Sequence, residues 1–238
     1  MLSLALQGHF SLDMIVFTTI VLFWIVAILI TYMLLLRSYY YLRARYMASR
    51  RKLYEPAIEL VLLDEPQEKV LDALAPKRWG DREVILRVIL DSMRHLEGPP
   101  FDSLQAACFK LGFMDRALKQ LSSRNKLRRG RAMEALGIMR AHPAMLAIIM
   151  LLPKQPRDMK LVALRSLSLI RDPFALPYYE REAETLPPTM LPRLASLMLE
   201  FGPPAQPFIR TLINDRPEAF PPRVMKLLLQ ETAHYAAL

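Results

Sequence analysis

Two hydrophobic patterns divide this chain. Residues Met14 to Leu36, MIVFTTIVLFWIVAILITYMLLL, run for 23 positions without a charge. From Leu53 onward no uncharged run reaches 18 residues, and apolar positions recur at helical spacing, three and four apart. The first pattern predicts a membrane-spanning helix, since 23 residues rise about 34 Å against a hydrocarbon core of ~30 Å. A cleaved signal peptide fits less well: the run is too long, no Lys or Arg precedes it, and no small-x-small site follows. A soluble core helix rarely needs so long an uncharged run. No GxxxG marks a dimer face. Thr18, Thr19 and Thr31 have a neighbouring helix or their own backbone carbonyls as partners, and the backbone is the simpler choice.

The second pattern predicts short helices. LYEPAIELVLLDEP and QEKVLDALAP form a first pair, and Asp64-Glu65 before Pro66 resembles a helix start. DREVILRVILDSMRHL is longer, with Asp81 as its expected N-cap and Gly98-Pro99-Pro100 as its stop. FDSLQAACFKLGFM and DRALKQLSSRN make another pair. Most of the 19 prolines fall between such segments, where they punctuate helices instead of breaking them. Few glycines and few β-branched residues outside the N-terminus complete the expectation of an all-α protein.

Three later segments align. AMEALGIMRAHPAML begins at Ala132, ALRSLSLIRDPFAL at Ala163 and RLASLMLEFGPPAQPF at Arg193. Met133, Leu136 and Met139 recur as Leu164, Leu167 and Ile170, then as Leu194, Leu197 and Phe201. Each unit reads as a helix, a Pro- or Gly-containing turn (His142-Pro143, Asp172-Pro173, Gly202-Pro203-Pro204) and a second helix. A period of about 30 residues is the mark of stacked helical hairpins. The units resemble HEAT-type repeats, well over residues 128–215 and loosely over 53–127, although the alignment needs one-residue gaps and the usual internal Asp and Arg pair is incomplete. The resemblance implies an α-solenoid. The alternative is an irregular helical bundle. In the solenoid, the apolar helix Ala144 to Leu152 is covered by its own partner and by the next hairpin. Leu146, Ile148, Ile149, Leu151 and Leu152 are then each expected to contribute about 1.5–3 kcal/mol by burial.

Charge orients the span. Asp13 is the sole charge before it, whereas Arg37, Arg43, Arg45, Arg50, Arg51 and Lys52 follow, among Tyr39, Tyr40, Tyr41 and Tyr46. Positive residues stay cytoplasmic, so the N-terminus is expected outside and the body inside. The same six residues suit anionic headgroups better than nucleic acid. Beyond them, residues 53–238 hold 26 of the chain's 32 basic residues and 22 of its 23 acidic ones, an ordinary net of +4. Nucleic acid is therefore not an expected partner.

Candidate chemistry is sparse. HExxH, CxxC, GxxxxGK[ST], GxGxxG and GxSxG are all missing. The four histidines, His9, His95, His142 and His234, are scattered, and His142 reads as a turn residue. The single cysteine, Cys108, excludes an intramolecular disulfide and reads as core. Glu180, Glu182 and Glu184 spread around a helix. Arg124, Lys126, Arg128, Arg129 and Arg131 crowd into RNKLRRGR, either a solvated loop and first turn or a contact for anionic lipid or an acidic partner. The last segment, ending in Tyr235-Ala236-Ala237-Leu238, either caps the stack or is received by another chain.

These readings give an extracytoplasmic tail at 1–13, a transmembrane helix at 14–36, a basic juxtamembrane segment at 37–52 and a HEAT-like repeat domain at 53–238. They give a single-pass protein of the bacterial inner membrane, N-terminus out. The expected function is a non-enzymatic scaffold or adaptor, without cofactor or metal, that binds lipid and a protein partner. The resemblance implies a membrane glycosyltransferase of surface-polysaccharide assembly as one such partner. Two alternatives are a regulatory module that reads a soluble signalling protein and a HEAT-like lyase, which would need convergent polar side chains.

Overall fold

The computed structural model of the chain describes residues 2–63, 65–78, 80–215, 221–222, 224–226 and 228–230, with side chains from Phe17 onward. Asp64, His234 and Tyr235 to Leu238 lie outside the described residues. Every regular element among the described residues is helical. Helix α1 spans Leu2–Leu62, and the chain divides into two compact units inside it, Met1–Leu53 and Tyr54–Leu238. The basic segment and the first expected helix of the body are thus one element, with Pro56 inside it.

Among the described residues, Phe17–Leu62 is the one stretch of helix long and apolar enough to cross a membrane, and none of its apolar window is buried. Phe23, Trp24 and Leu35 stand 68, 62 and 65% exposed. A core helix would hide such residues, so the expectation that this run is not a soluble core helix agrees with its exposure. Thr31 Oγ1 donates to the carbonyl of Ala27 at 2.8 Å, the local choice.

The second unit begins where α1 turns amphipathic. Tyr54, Ala57 and Val61 share one face and are buried. They are followed by α2 (Gln67–Ala73), α3 (Asp81–Met93), α4 (Pro99–Lys110), α5 (Phe113–Leu121) and α6 (Lys126–Ile138). Next come α7 (Met145–Leu151), α8 (Arg157–Ile170), α9 (Leu176–Ala183), α10 (Leu191–Leu199) and α11 (Gln206–Asp215). Helix α6 packs on α5 and α8, and α8 also meets α7 and α10.

A backbone signature repeats at the period seen in the sequence. Each of α6, α8 and α10 is followed within three residues by a positive φ: Arg140 at 47°, Arg171 at 61° and Gly202 at 74°. Short 3-10 turns follow at His142–Ala144, Pro173–Ala175 and Pro203–Ala205, and α7, α9 and α11 start directly after them. Ala144, Ala175 and Ala205 are all fully buried where the chain reverses. The nine aligned apolar residues, Met133 through Phe201, are at most 2% exposed. At Gly202 the left-handed conformation is free of strain, whereas an arginine there carries a penalty of about 1 kcal/mol that its contacts must offset. Ala141 N–H reaches Leu136 O at 3.0 Å and Arg140 N–H reaches Gly137 O at 2.9 Å, the paired bonds that close a helix around such a residue.

Two local expectations are corrected. Asp81 is not the N-cap, a position that Gly80 holds. It is the first residue of α3, fully buried, and its Oδ2 accepts from Tyr54 Oη at 2.7 Å and from Arg78 N–H at 2.9 Å. The carboxylate joins the end of α1 to the start of α3, because a buried charge needs strong donors. Helix α7 is also less covered than expected. Ile148, Ile149 and Leu152 are buried, but Leu146 and Met150 are 57 and 76% exposed. Seven residues make two turns, and α8 covers only one side of them.

Candidate functional site

Within the second unit the candidate residues lie at opposite ends of α6 and α8. One edge carries the turns. Glu97 Oε1 lies 3.5 Å from both Arg140 and Arg171, and His142 Nδ1 lies 3.5 Å from Asp172 Oδ2. The Arg140 guanidinium also sits 4.3 Å from the Phe101 ring centroid, and Gln105 Nε2 donates to the Met139 carbonyl at 2.7 Å. These contacts hold two arginines in their strained backbone and tie successive turns together. Exposed pairs of this kind stabilise by under about 1 kcal/mol each, so the edge is a set of fasteners. His142 is a turn residue as expected.

The other edge is basic. Asn125 caps α6 by accepting from Leu127 N–H at 2.9 Å and Arg128 N–H at 3.2 Å. The capping lets five basic residues crowd a helix start despite the opposing helix dipole. The cluster does not act as one group. Arg129 is tied inward, its Nε donating to Gln155 at 3.0 Å and its guanidinium to Ser123 O at 2.8 Å. Arg124, Lys126, Arg128 and Arg131 stay exposed, with no acidic partner among the described residues. The Arg129–Gln155 bond lays the chain before α8 against the start of α6. A Cβ on Gly130 would meet Met159 Cε at 3.1 Å, which closes the same junction from the α8 side. Lys154 and Arg157, both exposed, therefore join the edge. The sequence reading missed these two. The period could have found one of them, since 31 residues separate Lys126 from Arg157.

The flanking residues Arg37, Arg43, Arg45, Arg51 and Lys52 are exposed on α1, and Arg50 is half-buried with its guanidinium 5.8 Å from the Tyr46 ring centroid. Comparison with protein-family models, with curated proteins and with solved structures found no match. The chain's chemistry therefore has to be read from its own side chains.

Cys108, Tyr179 and Glu182 are buried in the second unit. Cys108 is fully buried, and burial pushes its thiol up to about 12, which removes the thiolate a nucleophile needs. Tyr179 donates its hydroxyl to the Leu164 carbonyl and meets Phe201 edge-on, ring centroids 5.4 Å apart. Burial raises its pKa well above the usual value and the Glu200 charge adds to this, against the lowering effect of hydrogen bonding at Ser168. Ser168 Oγ in turn donates to Glu200 at 2.9 Å. Glu182 is buried, whereas Glu180 is half-buried and Glu184 exposed. It receives Lys160 Nζ at 2.6 Å and Thr185 Oγ1 at 2.8 Å, pinning α9 to α8. Among the described residues, no three His, Cys, Asp or Glu side chains converge as metal ligands would.

Proposed function

We propose that this chain is a membrane-tethered, non-enzymatic scaffold whose second unit is an α-solenoid of HEAT-like hairpins that binds a protein partner. The observation that carries the reading is the recurrence, at Arg140, Arg171 and Gly202, of one helix–turn–helix geometry with the same apolar positions buried. Units of this kind cover one another's apolar faces and leave a long polar surface outside. A tether raises the effective concentration of that surface at the membrane, so weak contacts with a membrane-embedded partner suffice. A membrane glycosyltransferase of surface-polysaccharide assembly is the partner class favoured by the likeness to anchored repeat proteins. The basic flank after residue 36 supports a bacterial inner-membrane topology with the N-terminus out and the repeats in the cytoplasm.

Co-purification in mild detergent tests the reading. The full chain is compared with one whose residues 14–36 are exchanged for an unrelated span. A stoichiometric partner retained by the first and lost from the second marks a membrane-embedded one. Capture of a soluble partner by both marks a soluble signalling protein, and no stoichiometric partner in either removes the adaptor reading. A cytoplasm-dependent reporter fused after residue 238 is expected to be active; a periplasmic signal overturns the orientation.

A further inference from the structure

We infer that the basic edge formed by the starts of α6 and α8 is a docking surface for anionic lipid headgroups. Six exposed cations share it: Arg124, Lys126, Arg128, Arg131, Lys154 and Arg157. They come from two stretches 31 residues apart, held together by the Arg129–Gln155 hydrogen bond and by Met159 against Gly130. Asp158 is the one acidic residue in these stretches, 122–131 and 152–159. Large apolar side chains stand exposed close to these cations in the sequence. Leu127 stands 71% exposed between Lys126 and Arg128, and Met150, one turn before Lys154, stands 76% exposed.

Cations interleaved with isolated large apolar side chains are the chemistry of a peripheral lipid contact. The charges meet phosphate headgroups, and the apolar tips enter the boundary beneath them. A purely polar acidic protein surface would match the charge but leave Leu127 and Met150 unpaired. Lipid also lies within reach of a tethered chain, so the inference rests on the membrane-tethered reading above.

The test uses the full chain in nanodiscs, carrying Leu127→Cys labelled with a polarity-sensitive fluorophore. Cys108 is buried and stays unlabelled in the folded protein. Nanodiscs of phosphatidylcholine alone are compared with nanodiscs that also contain phosphatidylglycerol. The expected result is a blue shift with a several-fold gain in intensity only in the anionic discs, reversed by salt. Replacing Arg124, Lys126, Arg128 and Arg157 by Gln, or separately by Glu, is expected to abolish the shift while thermal melting is unchanged. Equal emission in both lipids overturns the inference, as does a shift that appears only on adding an acidic protein. Failure of the chain to co-elute with nanodiscs at all is a different result, and it overturns the tethered reading itself.

Discussion

Replacing Gly137 by Ala is the sharpest test of how α6 and α8 meet. In an ordinary helix interior the exchange stabilises by about 1 kcal/mol, because alanine loses less backbone entropy on folding. Here the added Cβ would lie 2.8 Å from Ser166 Cα, 3.0 Å from its carbonyl oxygen and 3.1 Å from its Cβ. Two of these are backbone atoms of α8, so no rotamer change relieves the contact. The helices must part along a seam that includes the fully buried Met133, Leu136, Leu164 and Leu167. Overpacking of this kind costs up to about 3 kcal/mol, and the propensity gain returns about 1, leaving a loss of ~2 kcal/mol. For a unit of this size that lowers the melting temperature by about 4–8 °C. Gly130 is the internal control, on the same helix. Its Cβ would meet only the flexible end of Met159, at 3.1 Å, and Gly130→Ala is expected to be neutral or slightly stabilising. Thermal unfolding followed by circular dichroism on the detergent-solubilised chain reads both. If Gly137→Ala melts at or above the parent temperature, the close approach of α6 to Ser166 is wrong.

Other expectations follow from the buried polar groups. Tyr54→Phe removes a 2.7 Å donor from the buried Asp81 carboxylate and is expected to destabilise the second unit by about 1.5–3 kcal/mol in urea unfolding; a change below the error of that measurement would detach α1 from α3. Lys160→Met leaves the buried Glu182 without its cation and is expected to cost about 3 kcal/mol, while adding Glu182→Leu recovers most of it; a double variant as unstable as the single would show that the pair is not coupled. Cys108 is expected to resist thiol reagents at neutral pH until the protein unfolds. Its thiol ionises near 9.0 when unfolded and near 12 when folded, so its contribution to stability is present below pH 9 and drains away as the pH climbs toward 12. Prompt labelling of the native protein, or stability flat across that alkaline window, would contradict its burial.

Much of the design was legible along the chain. The uncharged run to Leu36, the helical punctuation by proline and the period of about 30 residues are local patterns, carried by the kinds of residue at neighbouring positions. The aligned residues Met133 through Phe201 all prove to be buried for the same reason: a helix can turn one repeating stripe inward without knowing what will cover it. What the sequence alone could not reveal depends on which helix lies beside which. Asp81 reads as a cap until Tyr54, 27 residues earlier, reaches it. Leu146 reads as core until α7 is seen to be covered on one side only. Arg124 to Arg131 read as one cluster until Gln155 draws Arg129 inward and brings Arg157 alongside. Periodicity determines which face of a helix is apolar, but the partner of each face, and hence the fate of every charge along the seams, is set by contacts between residues far apart in the chain, and these exist only in the folded protein.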